Sequence, residues 1–467
     1  MSNSTQTLSE AKACLSLAIP LIAAQLAQST TAFVDTIMMG WLGSHTIAAG
    51  GLGATTFNYC LLISTSVLSA VSPLVAQAYG GNSPKAVQRI VQQGLWLTVL
   101  FSVPIMLILW QSRSLLLWFG QDANTVEVTE VYLRPLTWGF FPALAISVLK
   151  SFISAISQPR LVMLITLFGT LLNIGGNYAL MFGKFGFPEL GLAGIGWAST
   201  LSLWSMLLAL VVYVIWKPPL TDTSIFQGCQ HLNLQILREL LRVGLPIGGL
   251  MAVEAGIFTI ITLLIGHLGN TALAAHQIVQ QLGAVLTYQI ANGIALATTV
   301  RVGQLSGQQD RSGIQHAGRV GICISGICMS AFSLMFWLMP DPFIAFYLDT
   351  NDPANRQVMS LSRQLLGVAA VLQVVDGIQT TASGALRGVR DTQIPMIVGF
   401  LAYWCCGLPI GALLGMRFEL GAIGFWWGLV IGLAIAAIVL ARRFEIVVSR
   451  SKSLHFSNFL ERNASNH

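Results

Sequence analysis

A chain of 467 residues with 54% hydrophobic and only 9% charged side chains is not an ordinary soluble domain, in which roughly a quarter of residues are charged. The formal charge of +6 is spread over short connecting segments, as in the cytoplasmic loops of polytopic proteins, and it forms no nucleic-acid-binding patch. The composition is that of an integral membrane protein, and the 45 glycines agree, because small residues let spanning helices approach closely.

The first thirteen residues are polar, and no small-residue cleavage site follows a short apolar core. The first apolar run is therefore expected to remain as a span. A span takes roughly 20 apolar residues. Twelve runs qualify: 14–39, 47–75, 90–110, 132–156, 161–183, 190–216, 240–266, 273–300, 318–340, 361–386, 394–416 and 420–441. The longest connection, 217–239, opens on a proline pair near the middle of the chain. The sequence thus predicts an all-α polytopic membrane protein. It divides into an N-terminal tail (1–13), a first lobe of six spans (14–216), a linker (217–239), a second lobe of six spans (240–441) and a C-terminal tail (442–467). Eighteen of the 24 basic residues fall on the side of the N-terminus, which puts both termini and the linker in the cytoplasm.

The halves repeat. Pro20 in AIPLIAAQ aligns with Pro246 in GLPIGGLM at an offset of 226, and so does WLGSHTIAAG from Trp41 with HLGNTALAAH from His267. Further on, LAGIGW from Leu192 matches LGAIGF from Leu420 at an offset of 228. A nearly constant offset argues for duplication of a six-helix unit. An even number of spans leaves both copies in the same orientation, which relates the two bundles by an axis along the membrane normal. Each proline removes a helix hydrogen bond, so Pro20 and Pro246 are hinge candidates, with a static kink as the alternative.

Three acids lie deep in apolar runs: Asp35, Glu254 and Asp376. Charge within a span is costly, and its default reading is functional. Under the offset none of the three is duplicated: Asp35 aligns with Ile261, Glu254 with Gln28 and Asp376 with Val148. The lobes are therefore expected to differ in task. Glu254 and Asp376, near the middle of the seventh and tenth spans, make an acidic pocket if their helices face each other, able to share a proton or hold a small cation such as Na+. No basic partner is expected within those spans. Phe258 lies one turn beyond Glu254 on the same face. In the first lobe, Asn173 and Asn177 share a helical face at i, i+4, and with Asp35 and Thr200 could form a polar cavity. Ordinary amide bonding between helices is the alternative. His267 and His276 border a short loop and are expected at the surface. The seven cysteines show no metal or disulfide spacing. No GxxxxGK[ST], HExxH or GxSxG motif occurs, so neither direct ATP use nor a catalytic set is visible. An ion gradient is the energy source that intramembrane carboxylates suit.

The ordered set VDTIMMGWLG (with Asp35), LVAQAYGG, LLNIGGNYALMFG (Asn173, Asn177), VEAGIF (Glu254), ALAAHQI (Gln277) and VVDGIQTTASGALRG (Asp376) resembles the multidrug and toxic compound extrusion transporters, in their NorM-like branch. The resemblance covers about residues 11–443. It implies two six-helix bundles in a V around a central cavity. It implies an antiporter, not an enzyme, that expels cationic amphiphilic drugs and dyes from a bacterial cell across the inner membrane in exchange for Na+ or H+, with no cofactor. Such a two-lobe transporter can work as a monomer. The resemblance maps a coupling-cation site onto Glu254 and Asp376, with Phe258 close by. A second polar site maps onto Asp35, Asn173, Asn177 and Thr200. Gln277 and Gln281 are candidates for the substrate cavity. Relatives often carry Asn where Gln281 stands and an aromatic where Leu372 stands, which leaves Na+ versus H+ open. The alternative function is a flippase for lipid-linked oligosaccharide, but a phosphate-bearing substrate calls for basic residues within the spans, and here they sit in loops.

Overall fold

The apolar runs become helices. The computed structural model describes residues 3–216, 232–349 and 352–450, and all regular structure among them is helical. In chain order these are α1 (Asn3–Trp41), α2 (Ser44–Leu68), α3 (Val71–Gly80), α4 (Pro84–Trp110), α5 (Ser112–Trp118), α6 (Ala123–Thr137), α7 (Phe140–Ala155), α8 (Pro159–Phe182) and α9 (Leu192–Trp216). The second half gives α10 (Leu234–Gly266), α11 (Asn270–Leu282), α12 (Gln289–Gly307), α13 (Arg311–Leu338), α14 (Pro340–Ile344), α15 (Arg356–Gly388), α16 (Gln393–Phe400), α17 (Leu408–Ala412) and α18 (Gly421–Arg450). π-helical turns occupy Gly283–Tyr288, Leu401–Gly407 and Leu413–Arg417. Most of the linker expected at 217–239, and most of the C-terminal tail, lie outside the described residues.

Among the described residues, ten helical stretches are long and apolar enough to cross a membrane, and α6 with α7, bent by 46° at Trp138–Gly139, makes an eleventh. The one expected span not so counted, the eighth (273–300), corresponds to the helical run from α11 through α12, which is rich in amides (Gln277, Gln280, Gln281, Gln289, Asn292). The spans are inside-out relative to soluble helices. On α8, Leu164, Leu167, Phe168 and Leu171 are exposed at helical spacing, while Thr166, Thr170, Asn173 and Asn177 are buried. In hydrocarbon an outward leucine costs nothing, whereas a polar side chain has to find a partner within the protein.

The chain forms two compact units, residues 23–248 and residues 1–22 together with 249–467. The boundaries fall inside the continuous helices α1 and α10, two residues beyond Pro20 and Pro246. They stand apart by the same offset of 226 that relates the sequence repeats. The start of α1 packs with the second half of the chain: Cys14, Leu17 and Leu21 share a buried cluster with Ile294, Ala297 and Val300 of α12. At its foot Glu10 receives two hydrogen bonds from Arg301, both 2.8 Å. The start of α10 packs with the first half, where Gly244 and Gly248 lie directly against Val67 of α2.

Within the second unit, Ile257, Ile261 and Ile265 of α10 meet Val279, Leu365, Phe425 and Leu429 in one core. α18 presents Gly424, Gly428 and Gly432, four residues apart, to Gly415, Gly411 and Gly407, also four apart. The two glycine stripes run antiparallel in backbone contact, the small-residue packing that replaces hydrophobic association inside a bilayer. A Cβ on Gly428 would overlap the Gly411 backbone, whereas a Cβ on Gly175 of α8 meets open space. Gly428→Val is expected to cost about 2–3 kcal/mol or more. Gly175→Ala is expected to be neutral or to stabilise by up to about 1 kcal/mol. Thermal unfolding of the two variants in detergent, followed by size exclusion, reads the contrast.

Candidate functional site

In the first unit, close helix approach assembles a polar cluster. Gly176 packs on Ala198, and Gly194 lies against the Leu180 backbone, so α8 and α9 come near enough for short side chains to meet. α1 is joined to α8 by Thr31 and Thr170, whose hydroxyls are 2.9 Å apart. One and two turns further along, Asn177 Nδ2 donates to Asp35 Oδ1 at 2.6 Å and to Asn173 Oδ1 at 3.2 Å. Asn173 Nδ2 donates to Ser199 Oγ at 3.0 Å, and the Ser199 hydroxyl lies beside Asp35. Both asparagines are fully buried, and Asn177 Oδ1 has no hydrogen-bond partner. The sequence-predicted trio of Asp35, Asn173 and Asn177 is thus one hydrogen-bonded group. Thr200 belongs to a neighbouring contact: its hydroxyl donates to the Pro135 carbonyl of α6 at 2.8 Å. The hydroxyl beside Asp35 is that of Ser199, one residue earlier, a position that helical spacing alone did not single out.

In the second unit, Glu254 of α10 and Asp376 of α15 interact as neighbouring charges. Two π-helical turns supply the surrounding phenols. Tyr403 donates its hydroxyl to Glu254 Oε1 at 3.3 Å, and the next residue, Trp404, donates its indole N–H to the Val253 carbonyl at 3.2 Å. Gly256 leaves the room that the Trp404 ring fills. Tyr288, the last residue of the other π turn, lies within electrostatic reach of both acids. π turns shift the helical register and are frequent at functional sites. Thr380 brings its hydroxyl to Asp376 and to Gln379 Oε1, the latter at 3.1 Å. Gln379 Nε2 is buried close to Glu254, yet makes no hydrogen bond of good geometry. Phe258 packs on the unit's hydrophobic core one turn beyond Glu254. Gln277 and Gln281 are exposed on the face of α11 opposite its core residues His276, Val279 and Leu282.

Two expectations are corrected. No basic residue was expected within the seventh and tenth spans, yet Arg387, one residue past the apolar run 361–386, lies in the last turn of α15 and interacts electrostatically with Glu254. A guanidinium on the same helix as Asp376, three turns further on, thus acts on Glu254 electrostatically. His276 is not at the surface; it is completely buried in α11. Trp426 Nε1, which can only donate, points at His276 Nδ1 at 3.1 Å. Nε2 therefore carries the hydrogen and donates it to Thr262 Oγ1 at 2.9 Å, and Thr262 passes its own to the Phe258 carbonyl at 2.8 Å. α10, α11 and α18 are tied together by this directed chain. His267 is exposed, as expected. A further acid in a helix, Glu130 of α6, has its own cations: Arg134 at 2.6 Å and Arg113 at 3.9 Å.

Two compact units of spanning helices, each enclosing carboxylates among amide, hydroxyl and phenol groups, define a polytopic transporter-like membrane protein. The MatE family model matches residues 20–179 and 246–413, each stretch opening on one of the two repeated prolines, and the chain belongs to that family. It is 43% identical over 445 residues to a protein of Synechocystis sp. named probable multidrug resistance protein NorM, covering 95% of this chain and 96% of the relative. A Pseudomonas aeruginosa protein of the same name is 41% identical over 447 residues, covering 96% and 91%. Among solved structures, an outward-facing multidrug resistance MATE family transporter superposes with a TM-score of 0.86 at 20% identity, over 97% of this chain and 99% of that one. The crystal structure of the eukaryotic MATE transporter AtDTX14 superposes with a TM-score of 0.81 at 19% identity, over 95% and 99%. The all-α polytopic expectation agrees with these folds, and the ten or eleven spans among the described residues are roughly consistent with twelve.

The buried histidine carries a testable consequence. His276→Leu leaves the Trp426 indole unpaired inside the core and is expected to destabilise the protein by about 2–4 kcal/mol. Replacement of exposed His267 by Ala is expected to stay within about 0.5 kcal/mol. Unfolding midpoints of the two variants in one detergent measure the difference.

Proposed function

We propose that this protein is a secondary active antiporter of the bacterial inner membrane. It exports cationic amphiphilic drugs and dyes in exchange for Na+ or H+ by alternating access. Membership of a transporter family and the names of the NorM relatives support export of drug-like compounds. The single observation that carries the coupling is the Glu254–Asp376 pair, two carboxylates held in the interior of a spanning unit beside neutral donors. Neutral hydroxyls and amides stabilise a carboxylate without cancelling its charge. A cation that arrives and leaves cancels it, and its occupancy then sets the energy of the unit's two states.

In this reading Glu254 and Asp376 hold the coupling ion, and Phe258 walls the site one turn away. Asp35, Asn173 and Asn177, with Ser199 beside Thr200, form a second cation or substrate site. The unpartnered Asn177 Oδ1 is a free oxygen for it. Exposed Gln277 and Gln281 offer amides to the substrate. Pro20 and Pro246 act as hinges, an assignment supported by unit boundaries two residues beyond each. Both termini face the cytoplasm, and the monomer is the working unit.

Neutralising either member of the pair, Glu254→Gln or Asp376→Asn, is expected to lower cation-driven dye efflux at least a hundredfold while the protein accumulates normally. The assay uses vesicles in which Na+ and proton gradients are imposed separately, which also identifies the coupling ion. Undiminished coupled efflux by Asp376→Asn contradicts the proposal.

A further inference from the structure

Around the short helix α5, between the end of α4 and the body of α6, three charged side chains and two indoles meet on one surface. Glu130 of α6 takes Arg134 at 2.6 Å and Arg113 of α5 at 3.9 Å. The Arg134 guanidinium also stands over the Trp110 ring, 5.8 Å from its centroid, and Trp110 meets Trp138 edge to face at 6.0 Å. The carboxylate is the enclosed member: its side chain is 11% exposed, against 60% for Arg113 and 54% for Arg134. One negative charge is covered by two outward-facing positive ones, so the trio keeps a single surplus positive charge. Glu127, one turn away on α6, and Asp122, which caps that helix, are exposed, and neither pairs with these arginines. Water and salt screen such exposed charges, the Debye length being about 8 Å at physiological ionic strength. The depth of the trio follows from the apolar runs. The run 90–110 ends on Trp110, and the run 132–156 begins two residues before Arg134. That is the edge of the hydrocarbon layer, where tryptophan collects and lipid headgroups lie.

The second unit repeats this arrangement with its charge closed. Trp337 stands 227 residues after Trp110, Asp341 228 after Arg113 and Arg363 229 after Arg134. A short helix, α14, again follows the long one, but here Arg363 Nε meets Asp341 Oδ1 at 2.5 Å as one balanced pair. The surplus guanidinium of the first unit is therefore no requirement of the fold. We infer that Arg113 and Arg134 bind the phosphodiester of one anionic phospholipid, with Trp110 and Trp138 seating the glycerol and the start of the acyl chains. A guanidinium offers two parallel N–H groups to a phosphate, and an indole has an apolar body with an N–H to give. Both indoles are about half exposed, at the level where acyl chains begin, so the occupant is a lipid and not a free phosphate. A headgroup of charge minus one balances the trio. A zwitterionic headgroup brings its own ammonium, which the surplus charge repels.

Native mass spectrometry of the purified full chain, titrated in detergent with phosphatidylglycerol or phosphatidylcholine, tests this. Wild type is expected to prefer phosphatidylglycerol at least tenfold in its tightest binding step. Arg113→Gln gives up only a 3.9 Å contact, so it is expected to fold as wild type does and to lose that step at least fivefold. Glu130→Gln raises the surplus charge and is expected to tighten phosphatidylglycerol at least twofold, a gain that a merely structural role for the trio does not produce. Arg363→Gln, in the balanced pair of the second unit, is expected to leave the step within twofold of wild type. Equal binding of the two lipids by wild type, or undiminished phosphatidylglycerol binding by Arg113→Gln, overturns the inference. Displacement of the bound lipid by millimolar glycerol phosphate overturns it in favour of a free-anion site.

Discussion

The structure depends on how a carboxylate is kept inside a bundle of helices whose own backbone groups are already bonded. A spanning helix has no spare N–H to offer, so each acid relies on side chains from neighbouring helices. The described residues hold two solutions. Glu130 is matched by Arg134 one turn away and by Arg113, and its charge is cancelled on the spot. Asp35 and Glu254 are instead hydrogen-bonded by asparagine and tyrosine, which are neutral, and the Arg387 guanidinium acts on Glu254 only electrostatically. Neutral donors hold the side chain in place and leave its field in force. The first solution is a staple. The second holds the carboxylate in place through neutral groups.

Glycine and proline make the second solution possible, each by a different physical route. At Gly176, Gly194 and Gly256 the missing Cβ lets a neighbouring helix or ring approach. Short side chains such as Asn173 and Ser199 can reach across only because of that approach. The paired stripes on α18 and on Gly407–Gly415 serve the same end, and they brace the stretch whose π turn delivers Tyr403 to Glu254. The prolines act along the helix. Each leaves one carbonyl without its usual partner, and in both repeats the compact unit ends two residues later. That the duplicated prolines and the duplicated boundaries share one offset ties the backbone weakness to the architecture, whatever side chains surround it.

Much of this was legible without coordinates, for identifiable reasons. Apolar runs of about 20 residues, the repeat offset and the three isolated acids are one-dimensional signals. Asn173 and Asn177 share a face because they are four apart on one helix, and they do meet Asp35. The errors came where one-dimensional cues ran out. Arg387 reads as a loop residue when a span is ended at the last apolar side chain, yet α15 continues to Gly388. His276 reads as a surface residue because it follows a short turn, yet the turn delivers it into the core.

Length, polarity and spacing within each run thus belonged to the sequence: where nearly all the spans fall, that the chain repeats, and which carboxylates lack a duplicate. Tertiary structure decided the partners. Tyr403 meets Glu254 across 149 positions and Trp426 meets His276 across 150, and both links depend on helix approach that no local period encodes. The π-helical turns decide it further. Helical periodicity near 3.6 identifies a face only while the register holds, and a single wider turn redirects every side chain after it.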